Sequence, residues 1–395
     1  MEVSTLVWLT TDAGRALLET AATIHVEAGG DPVRAATAVR RVEPDAERAA
    51  AASTQVELRG RAVAKFGELA PHMFFTPDAL EQATRLRVAE HRAARLVAAQ
   101  VGSIIDLGCG IGGDLIAFAR AGLTTAGVDL DPVRVAVARA NLAALGLPGA
   151  VEVADVEAID TQAFGAAFAD PARRGARGRV FDVDGWTPPW TFVLGLLAGR
   201  GVVKVAPGIS HDVIPDGVEA EWVSEGGDVK EAVLWARALA TTDRRATVIG
   251  TGGLATITDE DDPYDGQPRP VREMGAFLYE PDGAVIRAGL VTAVAAGVGG
   301  GLLDEHIAYV TSDSPFQTPF ARSYRVLEEV PYREKQLKAA LRDRSVGSLT
   351  IKKRGVEIVP EQLRKRLDLR GDNTTTLVLT RVAGVGRAYL VEPLA

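Results

Sequence analysis

Four carboxylates carry the first chemical signal in this chain: Asp106, Asp129, Asp155 and Asp170. Each lies at the end of a short run of the kind that forms a strand in a parallel sheet. The first sits in Ile104-Ile105-Asp106-Leu107-Gly108-Cys109-Gly110-Ile111-Gly112-Gly113-Asp114, with glycines at 108, 110, 112 and 113. Glycine suits positive φ and close approach of backbone to a ligand, so the stretch reads as strand, tight turn, helix. Nucleotide-binding turns share such glycines. The acid before them discriminates, because a carboxylate repels a pyrophosphate and attracts a cation, such as the aminopropyl end of S-adenosylmethionine. Asp129 follows 23 residues later in Val128-Asp129-Leu130-Asp131. That is close to the spacing of the acid that accepts ribose hydroxyls in dinucleotide sites. Asp155, in Ala154-Asp155-Val156, is placed to accept the exocyclic amine of adenine. Singly, such an acid is an ordinary strand-end cap; four at successive strand ends mark a ligand edge.

The elements that must position these acids follow from the pattern. Strands are expected at 103–107, 124–130, 150–156, 166–171, 201–207, 219–225 and 230–237, and helices at 113–121, 132–145 and 189–198. Such alternation implies a doubly wound, mostly parallel sheet. Gly226-Gly227-Asp228-Val229 is hairpin spacing, so the sheet is expected to end in one antiparallel strand. A further hairpin pattern covers 246–250 and 254–258.

Upstream, residues 1–100 read as helical, with segments at 12–28, 32–41 and 54–66 and one running from the Thr76-Pro77 cap to about 99. Phe74 and Phe75 precede that cap, either as a hydrophobic staple or as a wall over a bound ligand. Downstream, the acidic run at 259–265 reads as a solvated linker. Strand patterns at 275–279 and 284–288 flank the turn Glu280-Pro281-Asp282-Gly283, and no chemistry is assigned to 270–320. A compact α+β pattern closes the chain. The expected division is a helical region at 1–100, an α/β domain at 101–258, an accessory β-rich linker at 259–320 and a basic α+β domain at 321–395.

Composition sets further bounds. A length of 395 residues suggests two or three domains. The single cysteine, Cys109, excludes a disulfide framework and a four-cysteine zinc site, and no metal site is expected. No long uninterrupted apolar run appears, and a cytoplasmic protein is expected. Net charge is −8, but residues 322–395 hold 16 Lys and Arg against 9 Asp and Glu, so that segment is +7 and the rest −15. A basic module on an acidic body suggests an anionic partner, nucleic acid first, or simply a solvated basic surface.

On these motifs, residues 103–237 resemble the class I S-adenosylmethionine-dependent methyltransferases, whose first motif runs like Asp106-Leu107-Gly108-Cys109-Gly110-Ile111-Gly112. The stretch from Phe75-Thr76-Pro77 through Asp170-Pro171 resembles the trimethylguanosine synthase branch, which acts on guanine N2 in RNA. Leu349-Thr350-Ile351-Lys352-Lys353-Arg354-Gly355 and Leu369-Arg370-Gly371-Asp372 resemble the THUMP-like domain found beside such enzymes, and RNA binding is what that resemblance implies. The implied fold is a Rossmann-like, seven-stranded methyltransferase sheet. The implied cofactor is S-adenosylmethionine, held by Phe75, Thr76, Asp106, Gly108, Cys109, Gly110, Gly112, Asp129, Leu130, Asp155 and Val156.

Enzymes that methylate an exocyclic amine of a base usually carry an Asp/Asn/Ser-Pro-Pro-aromatic motif. Here Asp170-Pro171-Ala172-Arg173-Arg174-Gly175 keeps the acid and the first proline; alanine replaces the second proline and arginine the aromatic. Arginine can stack on a base or bind phosphate. Asp170, Pro171 and Arg173 are therefore the expected catalytic set. Arg173, Arg174, Lys204, Lys352, Lys353, Arg364, Lys365 and Arg370 are the expected RNA contacts. Trp186 and Trp190 are either substitute stacking platforms or loop packing, and His211 is either a base or a surface histidine. Pyrimidine C5 chemistry is set aside, because its nucleophilic cysteine is missing from the fifth strand end, Lys204-Val205-Ala206-Pro207. The expected activity is methylation of a base of RNA, with an exocyclic amine favoured. The alternatives are a small-molecule methyltransferase and an inactive RNA-binding homologue.

Overall fold

The computed structural model describes residues 2–173, 186–264 and 271–394. Arg174 lies outside the described residues, as does the side chain of Arg173. The chain divides into two compact units: residues 1–205, 209–218 and 233–240, and residues 206–208, 219–232 and 241–395.

The first unit begins with α1 (Val3–Leu9), α2 (Asp12–Glu27), α3 (Pro32–Val42) and α4 (Ala46–Phe66). Side chains of Thr11, Asp31 and Asp45 accept from the first free N–H groups of α2, α3 and α4. The single helix expected from 77 to 99 is two, α5 (Pro77–Gln82) and α6 (Leu86–Ala98). The break has a visible cause. Lys65 Nζ donates to the carbonyls of Leu80, Glu81 and Ala83 at 2.8, 2.6 and 2.8 Å, and Arg85 donates to Ala64 O at 2.7 Å. A lysine on α4 thus satisfies the carbonyls that a continuing helix would have used.

Strand and helix then alternate: β1 (Ser103–Leu107), α7 (Gly113–Arg120), β2 (Thr124–Asp129), α8 (Pro132–Ala144), β3 (Ala150–Val153), β4 (Ala166–Ala169), the short β5 (Ala172–Arg173) and β6 (Trp186–Thr187), α9 (Trp190–Ala198) and β7 (Gly201–Val205). β1 pairs in parallel with β2 and β4, β2 with β3, and β4 with β7. One core of this unit joins α1–α5 to α7 and α8 through Phe66, Phe75, Leu115 and Val137, and another joins α6 and α7 to the sheet through Phe118 and Phe168.

The chain continues with β8 (Glu219–Glu225), β9 (Asp228–Trp235), β10 (Arg244–Gly250) and β11 (Gly253–Thr258). The sheet order is β11-β10-β8-β9-β7-β4-β1-β2-β3. The seven expected strands are all present, and the 246–258 hairpin adds two more. β9 lies inside the sheet, and the antiparallel edge strand is β11 instead, paired to β10.

In the second unit follow β12 (Phe277–Pro281), α10 (Gly283–Arg287), α11 (Val291–Gly297), β13 (Gly301–Asp304), β14 (Ile307–Ser312), β15 (Ala321–Val330), α12 (Glu334–Asp343), β16 (Val346–Lys353), α13 (Pro360–Leu367), β17 (Asn373–Val382) and β18 (Val385–Pro393). Residues 284–288, expected as a strand, begin in α10, because Asp282 accepts from Ala284 N at 2.8 Å and caps a helix there. The acidic run is also not a free linker. Asp259 accepts from Thr242 Oγ1 and Arg244 N at 2.6 and 2.7 Å, and the buried Asp262 accepts from Thr292 Oγ1. Strands β12–β18 form one seven-stranded sheet in the order β13-β14-β12-β15-β18-β17-β16. Leu337, Leu341, Leu363 and Leu367 of α12 and α13 pack with Leu349, Leu377 and Leu379 of that sheet. No helix of the described residues is long and apolar enough to cross a membrane.

Candidate active site at the strand edge

Strand order places the tips of β3, β2, β1 and β4 side by side, which brings the four acids to one edge. Asp155 lies just beyond β3, Asp129 ends β2, Asp106 is the penultimate residue of β1 and Asp170 follows β4. The turn after β1 takes positive φ at Gly108 (92°), Gly110 (56°) and Gly112 (82°). Gly108 N and Cys109 N donate to Val128 O at 2.8 and 2.9 Å, which ties the turn to β2. Asp129 braces it: Oδ2 accepts from Gly110 N at 3.0 Å and Oδ1 from Asp131 N at 2.9 Å. Gly127 admits the turn, since a Cβ there would stand 2.6 Å from Leu115 and 3.1 Å from the Cys109 sulfur.

A cavity of about 400 Å³ opens on this turn. Its walls include Asp106, Gly108, Cys109, Gly110, Asp114, Arg134, Phe168, Asp170 and Lys204, with Ala79, Gln82 and Ala83 around the end of α5. Asp106 is 2% exposed. Burial and the charge of Asp114 push its carboxyl well above the ordinary range; Arg92 opposes that shift, and Asp170 and Asp129 add to it. Arg92 is itself buried, ion-paired with Asp114 and stacked 4.3 Å over Phe168. Burial, with the charges of Asp106 and Asp129, pushes the Cys109 thiol up, so this cysteine is a wall and a poor nucleophile. Asp170 is paired at 2.6 Å with Lys204 Nζ, which also donates to Thr84 Oγ1 at 3.2 Å.

Asp106, Gly108, Cys109, Gly110, Asp170 and Lys204 therefore share one cavity. Other expected contacts lie elsewhere. Phe75 is fully buried in the helical core, 5.6 Å from Phe66, with its backbone held by Gln55, and it does not line the cavity. Thr76 caps α5 through Ala79 N at 3.4 Å. Asp155 is exposed and caps its own turn, Val156 follows it half-buried, and Leu130 is 65% exposed. Gly112 begins α7 with a Cβ position 3.3 Å from Ala138, so it packs helix on helix. Pro171 is half-buried and leads into β5. Trp186 and Trp190 meet edge to face at 5.2 Å. His211 is exposed in a short turn.

Three residues escaped the sequence reading. Arg134 lines the cavity from α8, Arg92 neutralises Asp114, and Asn141 is fully buried. Asn141 donates to Ile111 O at 2.9 Å and Phe74 O at 3.1 Å and accepts from Phe74 N at 2.6 Å, locking the glycine turn to the segment before α5. Its only sequence signal is a polar residue at helical spacing on the buried stripe of α8.

In the second unit, the expected phosphate contacts are largely committed to other partners. Lys352 is half-buried and paired with Glu280 at 2.6 Å, and Arg370 faces Asp368 at 3.4 Å. Arg364 Nε donates to Leu349 O at 3.1 Å. Lys353 and Lys365 are exposed. Among the described residues no group of His, Cys, Asp and Glu is arranged to hold a metal ion.

This geometry can be set beside known proteins. An uncharacterized S-adenosylmethionine-dependent methyltransferase of Mycobacterium tuberculosis, found in strains CDC 1551/Oshkosh and H37Rv, is 39% identical over 354 residues, covering 85% of this chain and 95% of its own. The chain belongs to this family of S-adenosylmethionine-dependent methyltransferases. Within the methyltransferase, residues 104–170 match a methyltransferase domain, 321–393 a THUMP domain-like family and 2–62 a domain of unknown function. The fold agrees with the crystal structure of a candidate methyltransferase from Porphyromonas gingivalis W83, with a TM-score of 0.77, 22% identity and coverage of 96% of this chain and 98% of that one.

S-adenosylmethionine is the cofactor, and the cavity fits it. At Gly108 and Gly110 a Cβ would meet no protein atom within 4 Å, so the turn leaves open space where a ligand can press on the backbone. The acids around that space suit a cation.

Proposed function

We propose that this methyltransferase modifies a base of RNA, with an exocyclic amine as acceptor. The observation that carries the reading is Asp170, which lines the same cavity as Asp106 and the glycine turn. S-adenosylmethionine supplies an electrophilic methyl group on a sulfonium. The chain's own work is positioning, which dominates an in-line displacement. Asp106 and the turn hold the cofactor's cationic end, and Asp129 accepts its ribose hydroxyls. Asp170 accepts an amine N–H, aims the nitrogen lone pair and takes the proton released as the nitrogen is alkylated. Lys204 holds the Asp170 carboxylate at the strand tip through the 2.6 Å pair. The THUMP-like segment supports RNA as the carrier of that amine. Guanine N2, the target of the trimethylguanosine synthase branch, is the finer form of the reading, resting on Phe75-Thr76-Pro77 and Asp170-Pro171.

The test is transfer of labelled methyl to total RNA from a strain lacking the gene, followed by digestion to nucleosides. Label on an exocyclic nitrogen supports the reading; label on a ring carbon, or none in RNA, contradicts it. One observation favours a small-molecule acceptor instead. Acids beside Lys352, Arg366 and Arg370 offset much of the basic charge on the C-terminal segment. Methyl transfer to a low-molecular-weight extract and not to RNA would select that reading.

A further inference from the structure

A second cavity, of about 700 Å³, lies within the first unit, away from the strand edge. Its walls come from α1 and α2, from Arg59 of α4, from the 71–74 segment and from α8. Val3, Leu6, Val7, Leu18, Phe74 and Ala140 give it an apolar lining. Val7 is 56% exposed within it, an apolar side chain left facing open space.

One wall carries a cation with no acid beside it among the described residues. Arg59 stands 5.1 Å over the Phe74 ring, and its Nε donates to Met73 O at 2.8 Å. That is its only hydrogen bond among the described residues, and no acid there pairs with it, so the two terminal nitrogens of the guanidinium have no partner. Burial draws its pKa down to about 10. Arg59 is half-buried, and a partly desolvated cation without a counter-ion favours a ligand that supplies one. Of the other ionic groups at the cavity, Arg15, Arg139 and Glu19 are exposed, and Arg15 is occupied by Asp12 at 2.9 Å.

We propose that this cavity binds a small carboxylate carried on an apolar chain or ring, with the carboxylate on Arg59 and the apolar body between α1, α2 and α8. The volume lies in the range of small-molecule sites, roughly 300–1,000 Å³. The free fork of a guanidinium matches a carboxylate geometrically, and one half-buried positive charge suits one negative charge.

Decanoate and decanol, equal in chain length and different in charge, test this on the full chain by calorimetry at pH 8. Decanoate is expected to bind saturably at one site and at least about tenfold more tightly than decanol, the worth of a charge-assisted hydrogen bond. Arg59→Met should remove that preference and leave decanol within about twofold. Ala143→Trp, an exposed position at the cavity, should weaken both ligands by filling the space. Should Arg59→Met fail to fold by circular dichroism, Ala143→Trp decides. Equal affinity for the two ligands, non-saturable uptake, or binding indifferent to the Trp variant overturns the proposal.

Discussion

The strand edge of the first unit and the basic segment of the second treat charge in opposite ways. At the edge, Asp106 is buried beside Asp114, and the acids are spaced by parallel strands that hold their tips in line. In the basic segment Lys352, Arg366 and Arg370 each stand beside an acid of their own unit. Net charge is a property of composition, whereas charge available to a ligand depends on what folding leaves unsatisfied. The −15 body gathers Asp106, Asp114 and Asp170 around one cavity, and the +7 segment offers fewer free cations than its count.

That contrast can be broken or sharpened in four ways. The largest effect is expected from Gly110→Val, which puts a branched side chain at φ 56° into the open side of the turn. Cofactor binding should fall by more than about a hundredfold, with roughly 1–2 kcal/mol of strain visible in the melt. Near-normal affinity in calorimetry would place the cofactor elsewhere.

Asp129→Ala comes next. It removes the brace on Gly110 and the proposed ribose acceptor, so affinity for S-adenosylmethionine should drop about ten- to a hundredfold, or roughly 1.5–3 kcal/mol. A folded variant with unchanged affinity would remove Asp129 from the site.

Asp106→Asn should act through pH. The folded-state pKa lies above the ordinary 3.8, so the native state holds this proton more tightly than the unfolded chain. Stability from this group is then fully present below the ordinary value and is lost as pH rises through the raised one. In cofactor-free protein, Asp106→Asn should therefore be more stable than the parent near neutrality. It should also lack a slope of up to about 1.4 kcal/mol per pH unit between those two values. Parallel stability curves for parent and variant would show that Asp106 pays no burial cost.

The smallest effect belongs to the basic segment. Lys353→Ala and Lys365→Ala should each flatten the salt dependence of RNA binding by roughly 0.7 in log–log slope, the single-strand value for one phosphate contact. Lys352→Ala should leave that slope unchanged while costing stability, because the half-buried Glu280 loses its 2.6 Å partner and keeps only the Tyr324 hydroxyl at 3.3 Å and Arg354 at 4.0 Å. A slope equal to the parent's in all three variants would mean that none of these lysines meets phosphate.

How much of this was legible in the sequence depended on distance along the chain. The glycine turn, the cap at Thr76 and the acids at strand tips are local patterns, and each stood where the spacing put it. The break between α5 and α6 was hidden, because its cause is Lys65, at least fifteen residues upstream. The interior place of β9 was hidden too, since hairpin spacing tells which strands are neighbours but not which lies outermost. The Asp170–Lys204 and Arg92–Asp114 pairs, and Asn141 beneath Ile111, join residues far apart in sequence. A run of cations such as 352–354 looks like a ligand surface until strand alternation turns Lys352 toward Glu280.

The central claim is that Asp170 serves the acceptor while Asp106 and the turn serve the cofactor. The most direct measurement is Asp170→Ala assayed twice on the same preparation: S-adenosylmethionine affinity by calorimetry, and labelled methyl transfer to RNA from a strain lacking the gene. The expected result is cofactor affinity within a few-fold of the parent together with loss of transfer. Turnover retained within a few-fold of the parent, or affinity lost together with transfer, would contradict it.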